Sequence, residues 1–228
     1  MENSLQYLGH SGWQIQSARG TRILIDPWLS KNPLAPFSTA DLPGADYVLL
    51  THDHFDHAGD VVEVVRHTGA VLVAQPETIR RYVAEGIPQD RTQGMNIGGS
   101  IEINGITVTM TDAYHSSETG EPAGYILTLE DGKTLYHSGD TGLHCNMRTW
   151  GELFDIDLAL LPIGSVFTMD ARQAAKAASM LQAKAVVPIH YKTFPILAQS
   201  ADPFVELVHQ SSPDTKVHVV EPGSTLHL

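Results

Sequence analysis

The chain has 228 residues, 42% of them hydrophobic and 18% charged, which excludes a disordered polymer and supplies enough apolar material for a large core in one α/β domain spanning 1–228. Its formal net charge of −12 argues against broad contact with a phosphate backbone, so no nucleic-acid partner is expected. Cys145 is the single cysteine, residues 1–4 lack a basic stretch leading into an apolar run, and runs such as Leu158 to Ile163 fall far short of the ~18 residues of a membrane span; a cytoplasmic protein with no membrane partner is expected.

In chain order, Gln14 to Gln16, Arg22 to Asp26 and Tyr47 to Thr51 read as strands between glycine and proline punctuation. Pro33 to Pro43 reads as a surface loop able to overhang a site. Asp60 to His67 predicts a crossover helix before a strand at Ala70 to Ala74, and Pro76 opens a helix through Val83. Ile101 to Ile103, Ile106 to Thr111, Tyr125 to Leu129 and Thr134 to His137 predict a meander, with Asn104-Gly105 and Asp131-Gly132 as two-residue turns. Strands at Leu158 to Leu161 and Ala185 to Ile189 bracket a helix, Ala171 to Leu181, whose Ala171, Ala174, Ala175, Ala178 and Leu181 share a face and whose start has capping-box spacing at Asp170 and Gln173. A helix from Pro203 to His209 and a strand from Lys216 to Val220 close the pattern. Two sheets with helices outside, a four-layer α/β/β/α sandwich, is the architecture this order predicts.

Chemistry concentrates at Thr51-His52-Asp53-His54-Phe55-Asp56-His57, where three histidines and two carboxylates follow directly on a predicted strand. Imidazole and carboxylate suit zinc and neighbouring first-row metals, and a loop leaving a strand end can turn several of them toward one point. A solvated polar turn does not require such a density of ligand types.

These residues resemble the metal-binding signature of the metallo-β-lactamase superfamily. Within it the chain is similar to the L-ascorbate-6-phosphate lactonase-like metal-dependent hydrolases, through Leu8-Gly9-His10-Ser11-Gly12, Ile25-Asp26-Pro27, Ser138-Gly139-Asp140-Thr141-Gly142, Pro162-Ile163-Gly164 with Phe167-Thr168-Met169, and Pro188-Ile189-His190-Tyr191. The resemblance implies a first metal on His52, His54 and His115, a second on Asp56, His57 and His190, and Asp140 bridging both. It implies two divalent transition-metal ions, zinc in the first place with manganese or nickel as alternatives, and a metal-activated water attacking a small, anionic substrate such as a lactone, a phosphodiester or a related ester. Asp56 is the expected catalytic residue, binding metal and orienting the water. Histidine rather than glutamate at position 54 favours hydrolysis over the redox chemistry of flavin-linked di-iron relatives.

Around the ligands, Asp26 is expected to fix the tautomer of a ligand histidine or to close a strand-end turn, and His10 to contact substrate or make a structural hydrogen bond. Thr168 is expected behind the ligands or beside the substrate, whereas Ser165 departs from the glycine expected after Gly164. His144-Cys145 could make an auxiliary zinc site or a small buried contact. His67, His209, His218 and His227 read as surface residues. The alternatives are a nucleic-acid-processing member of the superfamily, which the charge disfavours, and a non-catalytic metal-binding or sensor protein, which needs fewer ligands than seven. A homo-oligomer is compatible with the sequence, and no residue stands out as the general acid.

Overall fold

A computed structural model of the chain describes residues 2–228. Its first half runs β1 (Ser4–Gly9), β2 (Gly12–Gln16), β3 (Arg22–Ile25), β4 (Tyr47–Leu49), α1 (Phe55–Ala58), α2 (Val61–Thr68), β5 (Val71–Ala74), α3 (Pro76–Ala84) and β6 (Thr92–Gly94). The second half runs β7 (Ser100–Ile103), β8 (Ile106–Asp112), β9 (Ala123–Thr128), β10 (Thr134–His137), α4 (Asn146–Leu153), β11 (Leu158–Pro162), α5 (Ala171–Leu181), β12 (Ala185–Ile189), α6 (Asp202–Ser211), β13 (Lys216–Val217) and β14 (Thr225–His227).

The strands form two sheets of seven, ordered β14-β1-β2-β3-β4-β5-β6 and β13-β12-β11-β10-β9-β8-β7. Each sheet has a parallel part, β3 to β6 in one and β10 to β13 in the other, and an antiparallel part. Parallel neighbours need a crossover; α2 through α6 supply five of the six, and the segment 26–46, without an α-helix, connects β3 to β4.

Period-two burial sorts the side chains into layers. Ile23 and Ile25 point into the core between the sheets, with Trp13, Leu49, Tyr125, Leu158, Leu160 and Val187, while Leu24 faces the other way. Leu24, Val48 and Leu72 pack under Val61, Val64 and Val65 of α2 and Ile79 of α3. On the opposite outside, Ile126, Ala159, Leu161 and Val186 pack under Met147 of α4, Ala174 and Ala178 of α5, and Phe204 of α6. Helix, sheet, sheet, helix is the expected sandwich.

Several local expectations change. The second hairpin has a three-residue loop: Leu129 N–H bonds Lys133 O and Gly132 N–H bonds Leu129 O, with only Gly132 (φ 87°) in the left-handed region. This is a type I turn closed by a bulge glycine, whereas Asn104 (φ 49°) and Gly105 (φ 83°) form the two-residue primed turn. Segment 33–43 does not overhang the site; Ala35, Phe37 and Leu42 pack into the α2 side of the molecule. The last predicted strand shrinks to Lys216–Val217, and Ala177 rather than Ala171 belongs to the fully buried face of α5. The capping box at Asp170 and Gln173 is present.

Candidate metal centre

One edge of the sandwich collects the chemistry, because strands of both sheets end there. His10 follows β1 directly, Asp26 follows β3 and His190 follows β12; His52, His115 and Asp140 each come three residues after β4, β8 and β10. His10 (φ 57°), Asp26 (φ 46°) and His190 (φ 55°) all adopt left-handed backbone, which costs energy for a residue with a Cβ and persists only where the surroundings impose it. Gly139, beside Asp140, is left-handed too (φ 61°), and a Cβ there would overlap Ala123 O.

The seven expected ligand residues converge. His54 Nδ1 lies 3.0 Å from His52 Nε2 and 3.2 Å from His115 Nε2, so three ring nitrogens face one point. Asp140 Oδ2 lies 2.9 Å from His190 Nε2, 3.3 Å from His57 Nε2 and 3.6 Å from His115 Nε2. Asp56 Oδ2 lies 3.8 Å from His190 Nε2. Ligand-competent atoms within 4.8 Å of one another fall into His52, His54 and His115, into His10, Asp56, His57 and His190, and into His52, His57 and Asp140. Asp140, grouped with His52 of one set and His57 of the other, therefore sits between them.

The arrangement fits cations. His57 Nε2 and Asp140 Oδ1 are buried without a hydrogen-bond partner, a costly state for atoms meant to be structural. Burial opposes a proton on His57, yet Asp140 and Asp26 on either side hold its pKa well above the ordinary imidazole range. Burial and the neighbouring His57 push His52 well below that range. Burial would raise Asp140, but His190 and His57 hold it well below the usual carboxylate range. Carboxylate charge strong enough to hold one buried imidazole cationic, beside a second imidazole kept neutral, is the electrostatics that a metal cation satisfies.

Asp26 organises two of these histidines. Its Oδ1 accepts from Thr51 N–H (2.9 Å) and its Oδ2 from the Thr51 hydroxyl (2.7 Å) and His57 Nδ1 (2.7 Å). Since the Thr51 hydroxyl donates to Asp26, it accepts from His52 Nδ1, 3.0 Å away. Both rings thereby turn Nε2 toward the centre.

Asp53, inside the motif but unassigned from sequence, is buried and clamps the loop bearing His115. It accepts from Ser117 Oγ (2.7 Å), Glu118 N–H (2.7 Å), Thr119 Oγ1 and Arg81 Nη1 (2.9 Å). His137, also unassigned, is buried, with Nε2 donating to Ser11 O (2.9 Å) and Nδ1 accepting from Gly139 N–H (3.1 Å), which steadies the turn before Asp140.

His10 does not reach substrate space. It is fully buried, and its Nε2 donates to Asp56 Oδ2 (3.2 Å) while Nδ1 meets Thr193 Oγ1 (2.8 Å). Its carbonyl also accepts from His190 N–H (2.8 Å), so it braces one group of candidate ligands from behind. Burial, with a smaller contribution from His190, lowers its pKa to about 4 and keeps the ring neutral.

A cavity of about 380 Å³ opens onto the centre, where His54, Asp56, His115, Asp140 and His190 reach its wall. Phe55, Ser116 and Phe167 complete that wall, so Phe167 takes the place expected of Thr168, whose hydroxyl is buried and unpartnered. Ser165 is left-handed (φ 68°), a backbone conformation that the glycine implied by the resemblance would adopt without strain. His144 is buried against Tyr114 (5.1 Å) and 3.6 Å from Asp112, whereas Cys145 is exposed; among the described residues they do not join a group of three metal-competent side chains. His67, His209 and His227 are exposed and His218 is half-buried. No helix among the described residues is long and apolar enough to cross a membrane.

Comparison with known proteins agrees with this geometry. Residues 21–191 match the beta-lactamase superfamily domain. A UPF0173 metal-dependent hydrolase of Nitratidesulfovibrio vulgaris is 46% identical, the alignment covering 100% of this chain and 96% of the relative. A UPF0173 metal-dependent hydrolase of Pyrobaculum islandicum is 44% identical over 98% of this chain and 99% of its own. Among solved structures, the metallo hydrolase Igni18 of Ignicoccus hospitalis superposes with a TM-score of 0.91 at 38% identity, covering 100% of this chain and 99% of that one.

Proposed function

The chain belongs to the beta-lactamase superfamily and is a metal-dependent hydrolase of the metallo-β-lactamase type, and from that premise we propose that it uses two divalent ions to hydrolyse a small ester, lactone or phosphodiester. The observation that carries the two-ion reading is the gathering of eight ligand-competent residues, the seven expected ones and His10, into one group around His54 and another around Asp56 with Asp140 between them, at the floor of a cavity. His52, His54 and His115 would hold one ion, Asp56, His57 and His190 the other, and Asp140 both. Zinc suits this nitrogen and oxygen donor set, as do manganese and nickel. When bound, such ions lower the pKa of a water toward neutrality and stabilise negative charge developing on a carbonyl or phosphoryl oxygen.

The chain's own groups supply position. Asp26, through Thr51 and directly, orients the rings of His52 and His57 so that their Nε2 atoms face the site. Burial would raise the Asp56 pKa, but the hydrogen bond from His10 and the neighbouring His57 lower it, so Asp56 remains a carboxylate that accepts a hydrogen bond from the attacking water and orients it. A panel of lactones, carboxylic esters, thioesters and phosphodiesters, offered to metal-loaded protein, tests the proposal. Hydrolysis that disappears on chelation supports it, and indifference of any observed hydrolysis to metal refutes it.

A further inference from the structure

Once the five residues assigned to metal are set aside, the cavity wall consists of Phe55, Ser116 and Phe167. No lysine or arginine among the described residues contributes to it. Phe55 is 64% exposed and Phe167 55% exposed, an unusual position for two phenyl rings beside one opening. Phe55 is not a loose side chain, because it lies edge-on to the buried Trp28 (5.7 Å, 88°) and beside Phe194 (6.3 Å). Trp28 and Phe194 in turn stack at 5.9 Å, giving the ring a rigid backing.

We infer that Phe55 and Phe167 form a subsite for a neutral apolar or aromatic group next to the scissile bond, so that the reacting carbonyl or phosphoryl group is the substrate's one charged or strongly polar contact. The inference rests on the hydrolase reading above and narrows it. A second anionic group, such as the phosphate of a sugar-phosphate lactone, requires charge-assisted donors, and the side chains of this wall supply none. Buried against phenyl rings such a charge would be unpaired, and the net charge of −12 repels it at longer range. An aryl or short acyl group instead meets the ring faces and edges in the geometry aromatic pairs favour. About 380 Å³ lies toward the small end of ligand cavities, which accommodates such a group in place of a polymer.

Two hydroxamates with the same metal-binding head, one carrying a benzyl group and one a carboxypropyl group, test this by calorimetry on zinc-loaded protein of measured metal content. The benzyl compound is expected to bind at least about tenfold more tightly, and the double variant F55A/F167A to bring the two within about twofold of each other while metal content stays the same. Equal or tighter binding of the carboxylate, a preference that survives the double substitution, or failure of metal-carrying protein to bind either compound would overturn the subsite. So would a change of sedimentation coefficient in F55A/F167A, which would assign the rings to a contact between copies. Protein that takes up no zinc at all refutes the hydrolase reading first, and the metal analysis on the same sample separates that failure from the others.

Discussion

Replacing Asp53 by alanine should release the loop that carries His115. The carboxylate is buried, accepts hydrogen bonds from Ser117 Oγ, Glu118 N–H and Thr119 Oγ1, and pairs with Arg81 at 2.9 Å. Hydrogen bonds to a charged group contribute about 1.5–3 kcal/mol each, and breaking a buried ion pair costs about 3–5 kcal/mol. The lower end applies here, because Arg81 keeps Glu85 and Glu118 as partners and Ser117 and Thr119 are close enough to the surface to recruit water. A loss of about 3 kcal/mol in a chain of 228 residues lowers Tm by roughly 6–12 °C. Thermal unfolding followed by circular dichroism measures this, and metal titration of the same samples should show weaker binding at the site of His52, His54 and His115. Asp53→Asn, which keeps one acceptor oxygen, should fall between wild type and alanine. A Tm within about 2 °C of wild type for Asp53→Ala would show that the clamp is incidental.

Asp53 also sets a pH dependence. Burial would raise its pKa, but the bonds from Thr119, Ser117 and Glu118 outweigh that and lower it from 3.8 to about 2. Its contribution to stability is thus complete above about pH 4 and lost as pH falls toward about 2, so the stability gap between wild type and Asp53→Asn should close over that window in acid titrations of unfolding. Asp140→Ala should impair activity and occupancy of both metals while His67→Ala changes neither, and equal effects in elemental analysis and kinetics would mean that the site is misplaced. His10→Ala should weaken metal binding by about 10- to 100-fold through loss of its bond to Asp56, as expected for a residue behind a ligand. Competition with a chelating dye reads this directly, and unchanged affinity with reduced turnover would return His10 to the substrate. Gly139→Ala should leave little folded protein in a soluble-expression assay, because its left-handed backbone and the contact with Ala123 O both resist a methyl group.

The cluster from His52 to His57 was legible because its residue types exceed what any turn requires. His115, Asp140 and His190 are single residues far apart in the chain, so only resemblance to a family connected them; the sheet topology supplies the physical reason, since each follows a strand ending at the same edge. The left-handed backbone of His10, Asp26 and His190 leaves no mark in composition, and without it His10 could be pictured facing substrate when it faces Asp56. Asp53 and Phe55 drew no role from the sequence because their roles depend on partners 28 and 27 residues away in the chain, Arg81 and Trp28, and Phe167 entered only as part of the resemblance. Helix α4 escaped the periodicity because it contains Gly151, a poor helix former. That glycine is required by the close approach of the Leu181 backbone, which leaves no room for a Cβ.

Elemental analysis of the purified, extensively dialysed protein alongside its Asp140→Ala variant counts the ions held by the seven residues. Close to two equivalents of transition metal per wild-type chain are expected, and well under one in the variant. A wild-type protein that stays metal-free after incubation with zinc, manganese and nickel, or a variant that retains both equivalents, would contradict a centre of two ions.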